Sequence, residues 1–271
     1  MEKVGNILTY FKKELANSFD EREVSSWAYL SINYLLGFSK SDCILRANKK
    51  LTEATQNQFF QIVNELKRGK PIQYVLGVID FFGLTLKVNK NVLIPRPETE
   101  GLVDWILQEE SDTIVDVGTG SGCIAIALAK NMEARITAID VSNEALHLAE
   151  ENAKLNEVAI NFLQKDILKT TSLSKVDVIV SNPPYVLHRE KKHMKKNVLA
   201  YEPHLALFVS DNNPLIFYEK IGKLAAKSLN CNGKLFFEIN EQYPQEIITM
   251  LGKFGFVNIE LKKDINDKDR M

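Results

Sequence analysis

The sequence predicts an α/β protein: a parallel sheet covered by helices on both faces, preceded by a small helical bundle and a β-hairpin. Three observations carry this expectation. From Val4 to about Lys67 apolar residues recur at helical spacing. Between Tyr74 and Leu93 the pattern becomes alternating and β-branched, broken by Gly77 and Gly83. Beyond it, short strand-like runs alternate with helical ones as far as Leu261, the pattern of a parallel sheet. The expected boundaries are a helical domain over 1–70, a hairpin linker over 71–93 and an α/β domain over 94–271.

Each part has its own punctuation. In the helical part the apolar sets are Ile7, Leu8 and Phe11, then Trp27, Leu30, Ile32 and Leu35, then Phe59, Phe60, Ile62, Val63 and Leu66. Gly37 stops the second set, and Gly69 with Pro71 stops the third, because glycine takes left-handed caps and proline cannot continue a helix. In the hairpin, Val75, Val78, Phe82, Leu84, Leu86 and Val88 supply the strand character. Strands are then expected at Thr113–Val117, Arg135–Ile139, Ile160–Leu163, Val176–Ser181, Lys234–Ile239 and Val257–Leu261. Helices are expected from Gly122, from Asn143, around Pro214–Leu229 and around Gln245–Lys253.

Composition narrows the function. A chain of 271 residues, 45% hydrophobic and 25% charged, can bury a sizeable core. Its net charge of -1 argues against reliance on a strong overall positive field to hold nucleic acid, so a protein or small-molecule substrate is favoured. Cys43, Cys123 and Cys231 are far apart and show no zinc or dithiol spacing, so reduced thiols, a cytoplasmic protein and no metal are expected. The N-terminus lacks signal-peptide layout, and no uninterrupted apolar stretch is long enough to cross a bilayer.

The first β-strand of the α/β part runs into Gly118-Thr119-Gly120-Ser121-Gly122 and then an apolar helix. Glycines there allow a tight turn and close approach of a ligand to the backbone, and the helix start offers unpaired N–H groups. Asp140, ending the second strand, stands where a carboxylate meets ribose hydroxyls in Rossmann-like folds; the alternative is a cap for the following helix, a task open to Ser142. The Gly-x-Gly-x-Gly spacing departs from the dinucleotide fingerprint Gly-x-Gly-x-x-Gly. Asp116 suits the cationic α-ammonium of a methionine moiety, directly or through water, and S-adenosylmethionine is therefore preferred to NAD. Asp166 is placed to accept from an adenine amine with Ile167 against the ring, or else is a turn residue beyond a strand end.

The fourth strand delivers Asn182-Pro183-Pro184-Tyr185 at its carboxyl end, where ligands of open α/β sheets bind. Two prolines remove N–H donors and leave carbonyls free. If Asn182 Oδ1 and the Pro183 carbonyl accept the two hydrogens of a planar –NH2, its nitrogen is turned toward a sulfonium methyl, with Tyr185 packed on the planar group. No general base is needed for that transfer.

These segments resemble the HemK/PrmC family of protein-(glutamine-N5) methyltransferases. The resemblance covers nearly the whole chain and rests on Pro71–Gly77, Phe82-Gly83, Ile94–Glu100, Asp116–Gly122, Ser181–Tyr185 and Tyr201-Glu202-Pro203. It implies a Rossmann-like class I methyltransferase sheet, S-adenosylmethionine as methyl source with S-adenosylhomocysteine as product, and the glutamine of the Gly-Gly-Gln motif of peptide chain release factors as acceptor. It also implies that residues 1–70 help dock the release factor and that the glutamine enters a pocket closed by Tyr185. Arg96 and Glu98 would shape the pocket edge, though Pro97 with Glu98 and Glu100 equally reads as helix-start chemistry. Tyr201-Glu202-Pro203 would order the loop after Tyr185. Family members usually run past a Lys-Asp-Arg segment into a last strand, whereas here Lys268-Asp269-Arg270 is followed by Met271 alone, so a short edge strand is expected.

Asn-Pro-Pro-Tyr is shared with adenine-N6 methyltransferases of DNA and RNA, which is the second reading; a catalytically silent cofactor-binding module is the third. No stable nucleic-acid complex is expected, and a monomer is. His147, His188, His193 and His204 read as surface or loop residues, Cys123 as small packing, and Arg189–Lys196 as a solvated basic loop or a contact for an acidic protein face or RNA.

Overall fold

The computed structural model describes residues 1–271 as two compact units, Met1–Gly77 with Lys196–Tyr201, and Val78–Lys195 with Glu202–Met271. The first unit is helical, with α1 (Ile7–Leu15), α2 (Glu21–Leu36), α3 (Lys40–Leu45), α4 (Glu53–Lys67) and α5 (Ile72–Leu76), joined by α9 (Lys196–Tyr201) from later in the chain. Its helix ends follow from local chemistry. Asp20 caps α2 by accepting from the Arg22 and Glu23 amides, Thr52 caps α4 through the Thr55 amide, and Gly37 closes α2 at φ 65°. Phe11, Phe59, Val63 and Leu66 are fully buried within it, and the Tyr201 hydroxyl of α9 donates to the Arg68 carbonyl at 3.0 Å.

One expectation changes here. Tyr74 and Val75, read as the start of a hairpin, lie in α5: Pro71 permits one more helical turn, and Gly77 ends it at φ 76°. The hairpin itself is β1 (Val78–Phe81) against β2 (Leu84–Lys87), antiparallel. Phe82 at φ 50° and Gly83 at φ 74° give the two positive φ values of a primed turn, and the Phe82 amide is held by Glu100 Oε1 at 2.8 Å.

The second unit is built on a parallel sheet: β3 (Thr113–Val117), β4 (Arg135–Asp140), β5 (Asn161–Gln164), β6 (Val176–Ser181) and β9 (Leu229–Phe237), ordered β5-β4-β3-β6-β9. Helices α6 (Pro97–Ile106), α7 (Cys123–Asn131) and α8 (Asn143–Leu155) cover one part of it, and α11 (Ile216–Ser228) and α12 (Pro244–Lys253) another. Successive strand residues serve opposite faces. Ile114, Val178 and Val180 pack with Leu102 and Ile106 of α6 and Ile126 of α7, while Val115, Val117 and Ile179 pack with Tyr218 and Ile221 of α11 and Ile247 of α12. Burial on both faces explains why these strands read as nearly continuous apolar runs.

Chain order sets the position of the site. From β3 the sheet grows outward through β4 and β5, then the chain crosses to the other flank of β3 to place β6. The loops leaving β3 and β6 therefore diverge and open a crevice at their carboxyl ends. Short strands β7 (Val186–Leu187) and β8 (Phe208–Val209), with α10 (His204–Leu207) between them, follow β6.

The expected strand at Val257–Leu261 is not formed. Asn258 takes φ 52°, which interrupts an extended strand; Val257 is 78% exposed, while Ile259 and Leu261 still pack against the core with α11 and α12. Instead Lys262 exchanges backbone bonds with Arg270 and Met271, and the Ile239 amide donates to the Arg270 carbonyl at 2.7 Å. No helix is long and apolar enough to cross a membrane.

Candidate active site

The crevice holds a cavity of about 400 Å³, within the range of small-molecule and cofactor sites. On its β3–β4 side the loop Gly118–Ser121 forms the wall. Gly118 and Gly120 sit at φ 77° and 55° with open space where a Cβ would stand, whereas a Cβ on Gly122 would meet Ile126 Cδ1 at 2.9 Å and Ala149 Cβ at 3.2 Å. The first two glycines thus keep the wall low, and Gly122 brings α7 against α8.

The loop is tied to the end of β4. The Gly118 and Thr119 amides donate to the Ile139 carbonyl at 2.8 and 3.0 Å, and the Gly120 amide to Asp140 Oδ2 at 2.8 Å. Three loop amides ahead of α7 are therefore used inside the protein. Asp140 Oδ1 accepts from the Ser142 amide at 2.9 Å, while the Ser142 hydroxyl caps α8 through the Ala145 amide at 3.1 Å. The helix cap is thus Ser142, and Asp140 lines the cavity with lone pairs to spare. Burial pushes the Asp140 carboxyl above its usual range, against the pull of the Ser142, Gly120 and Val141 amides.

Asp116 lies differently from the expectation: it is fully buried under the loop, and the cavity wall does not include it. Its Oδ2 accepts from Thr119 Oγ1 at 2.6 Å, and its Oδ1 has no hydrogen-bond partner. Burial pushes this carboxyl up to about 7, opposed chiefly by the Thr119 hydroxyl. Asp166 and Ile167 do reach the wall, with Asp166 Oδ1 accepting from the Leu168 amide at 3.0 Å. Cys123 also touches the cavity; burial pushes its thiol up to about 12, so it is a packing residue there.

On the β6 side, Asn182, Pro183 and Pro184 line the same cavity. Ser181 Oγ donates to the Val117 carbonyl at 2.7 Å and so ties the ends of β3 and β6. Asn182 Nδ2 donates to Glu238 Oε2 at 2.9 Å and to Thr99 Oγ1 at 3.3 Å. Both of its nitrogen-side partners are acceptors, so the amide is oriented with Oδ1 away from them. Tyr185 is not on the wall: its ring packs in the core with α11, and its hydroxyl donates to Glu238 Oε1 at 3.0 Å. It braces the loop instead of closing the pocket. Burial, then the Glu238 charge, raise the Tyr185 pKa further above the ordinary phenol value.

The pocket edge is set by Glu202. With its side chain 1% exposed, it accepts from Arg96 Nη2 at 2.6 Å and from the Ile94 amide at 3.1 Å, clamping the segment before α6. Arg96 lines the cavity as expected, while Glu98 accepts from Asn266 and Glu100 from Phe82, both outside it. Pro97 takes the first helical position of α6.

Residues 97–204 match the Methyltransferase small domain family and residues 6–77 the PrmC N-terminal domain family. A release factor glutamine methyltransferase of Flavobacterium psychrophilum is 50% identical over 277 residues, covering 99% of this chain and 97% of that protein. One from Bacteroides thetaiotaomicron is 39% identical over 273 residues, covering 99% and 98%. One from Streptococcus pneumoniae is 42% identical over 248 residues, covering 90% and 87%. The chain belongs to the release factor glutamine methyltransferase family.

Within that family frame, the structure brings Arg96, Gly118, Thr119, Gly120, Ser121, Asp140, Asp166, Ile167, Asn182, Pro183 and Pro184 to one cavity. Asp116, Gly122 and Tyr185 stand behind it. Two residues with direct hold on Asn182 were missed from sequence, Thr99 and Glu238. Glu238 had a usable signal, since it is an acid at the carboxyl end of an apolar strand, the same position that singled out Asp116 and Asp140. Thr99, the third residue of α6, lies in the Ile94–Glu100 segment of the resemblance, but nothing local marks it as a partner of Asn182. The basic run 189–196 is folded back in part: Arg189 donates to the Tyr243 hydroxyl, and Lys191 lies 4.4 Å from the Phe208 ring centroid.

Proposed function

We propose that this chain transfers a methyl group from S-adenosylmethionine to the side-chain amide nitrogen of the glutamine in the Gly-Gly-Gln motif of a peptide chain release factor. The observation that carries the reading is the anchored amide of Asn182, which leaves Oδ1 as an acceptor on the cavity wall beside Pro183 and Pro184. Membership of the family supplies the methyl-transfer chemistry and the glutamine acceptor.

The residues present suit S-adenosylmethionine. Asp140 offers acceptors for ribose hydroxyls, Asp166 for an adenine amine with Ile167 against the ring, and the bare glycine backbone at Gly118 and Gly120 leaves room for the methionine part. The buried Asp116 carboxyl behind the loop, one oxygen of which has no hydrogen-bond partner, would give up its proton more readily beside a cationic ligand. When bound, S-adenosylmethionine supplies an activated methyl on sulfur and a neutral thioether as leaving group.

The chain's own part is orientation. Asn182 Oδ1 and the Pro183 carbonyl accept the two hydrogens of the substrate amide, which aims the nitrogen and stabilises positive charge developing on it. A glutamine amide nitrogen is a weak nucleophile, so placement counts for more than proton removal; the extra proton leaves after transfer. Arg96, held by Glu202, fixes the rim through which the side chain enters.

The test is transfer of labelled methyl to a purified release factor, run beside the same factor with its Gly-Gly-Gln glutamine changed to alanine and beside an adenine-containing DNA duplex. Label on the unaltered factor alone is expected. Label on the DNA would replace this reading by the adenine-N6 one, and label on neither by that of a silent module.

A further inference from the structure

Glu238 lies one residue beyond β9, and its amide donates to the Ser181 carbonyl at 3.0 Å, which sets it beside the strand exit that delivers Asn182. It is 2% exposed. Its Oε2 accepts from Thr99 Oγ1 at 2.6 Å and from Asn182 Nδ2 at 2.9 Å, and its Oε1 accepts from the Tyr185 hydroxyl at 3.0 Å. One buried carboxylate thus gathers a side chain from α6 and two from the Asn-Pro-Pro-Tyr loop.

The two ends of an asparagine amide have nearly the same shape and opposite hydrogen-bonding sense, so its partners alone decide which end faces the cavity. Thr99 gives its one hydroxyl proton to Glu238, which leaves Thr99 Oγ1 able only to accept from Asn182. Glu238 takes hydroxyl donors on both oxygens, from Thr99 and Tyr185, so it too meets Asn182 as an acceptor. The nitrogen of Asn182 must therefore face this pair.

We propose that Glu238 is a positioning residue that sets the hydrogen-bond sense of the acceptor site, holding the Asn182 amide so that the site takes a group presenting N–H donors. The inference rests on the reading in which Asn182 Oδ1 holds the acceptor nitrogen. Glu238 does not touch the substrate. Without it the Asn182 amide is free to turn over, and its two N–H groups would then oppose those of the substrate amide, a mismatch that lowers turnover more than binding.

The test is a charge-and-amide swap between the two positions, read as kcat and KM for methyl transfer to the release factor, with S-adenosylhomocysteine affinity measured on every variant as the check on folding and the cofactor loop. Glu238→Gln can keep an oxygen toward Asn182 and Thr99 while its nitrogen serves the Tyr185 hydroxyl, so kcat within roughly threefold of the parent is expected. Asn182→Asp sets carboxylate against carboxylate, and kcat is expected to fall about 100-fold or more. In the double variant Asn182→Asp with Glu238→Gln, the introduced amide nitrogen donates to the introduced carboxylate, and an oxygen again faces the cavity. Its kcat is expected to exceed that of Asn182→Asp alone by roughly tenfold, a non-additivity of the kind neighbours in one network show.

A double variant no faster than Asn182→Asp would overturn the proposal. If the double variant does not fold, Glu238→Ala decides the matter against Glu238→Gln: kcat lost with Ala and kept with Gln, at little-changed KM, supports it, and equal rates overturn it. Full activity in Asn182→Ala would instead remove the underlying reading of Asn182, which is a separate failure from additivity between the two positions.

Discussion

Two carboxylates are buried at the carboxyl end of the sheet, and their surroundings differ. Asp116, under the glycine loop, uses one oxygen on Thr119 and leaves the other without a partner. Glu238, one strand beyond β6, has both oxygens occupied by three side chains. An unsatisfied buried acceptor is costly and persists where something else can compensate it, whereas a saturated one holds its neighbours in place. The β3–β4 flank thus keeps a buried acceptor in reserve behind the cavity wall. The β6–β9 flank is arranged to keep an amide from moving.

The sharpest way to break this comparison is at Asn182. Asn182→Ala removes the oriented acceptor and is expected to lower kcat about 100- to 1000-fold, the scale of losing one oriented hydrogen-bonding group at a reacting centre. Unchanged turnover would show that the β6–β9 flank has no part in orienting the substrate. Next in size is Asp140→Ala, which takes the loop's Gly120 anchor and the acceptors proposed for ribose together. Calorimetric titration with S-adenosylhomocysteine should show affinity reduced roughly 10- to 100-fold. Equal affinity in parent and variant would move cofactor recognition off β4.

A smaller effect, on stability, separates the glycines of the loop. Gly122→Ala places a methyl group 2.9 Å from Ile126 Cδ1 at φ 82°, and a loss of about 2 kcal/mol is expected in urea unfolding. Gly118→Ala meets no atom, so its loss should be about 1 kcal/mol, from backbone strain alone. The reverse ranking would mean that the α7–α8 approach is not set by Gly122.

A last expected effect is a pH slope. Burial raises the carboxyls of Asp116, Asp140 and Glu238 in the folded state, so between about 4, the unfolded value, and about 7, that of Asp116, the folded protein binds protons the unfolded chain has released. Stability of the ligand-free protein should therefore fall as pH rises through that window. Asp116→Asn removes its share, and its stability should fall less steeply over the same range. Parallel curves for parent and variant would mean that Asp116 is not buried as described.

Much of the fold was legible because its signals are local. Capping residues, glycine stops, strand runs and the spacing of Asp116, Asp140 and Asp166 along the chain each depend on a few neighbouring residues. Two misreadings turn on a local stop or break, and a third on a distant partner. Tyr74 sits among residues of strand-like composition but is held helical between Pro71 and Gly77, and Val257–Leu261 has strand composition but is interrupted at Asn258. Tyr185 was expected from the resemblance to close the pocket; in the fold its hydroxyl is claimed by a carboxylate 53 residues away.

By itself the sequence determined that a parallel sheet would carry a glycine loop and an Asn-Pro-Pro-Tyr exit on neighbouring strand ends, because periodicity and turn chemistry act over short range. Only the tertiary structure decided which way the Asn182 amide faces, which carboxylates reach the cavity and which stand behind it. The direction of the amide depends on hydrogen bonds between side chains more than 50 residues apart, Asn182 with Glu238 and Thr99, and the reach of each carboxylate depends on how the strands and loops stack around it; no local pattern encodes either.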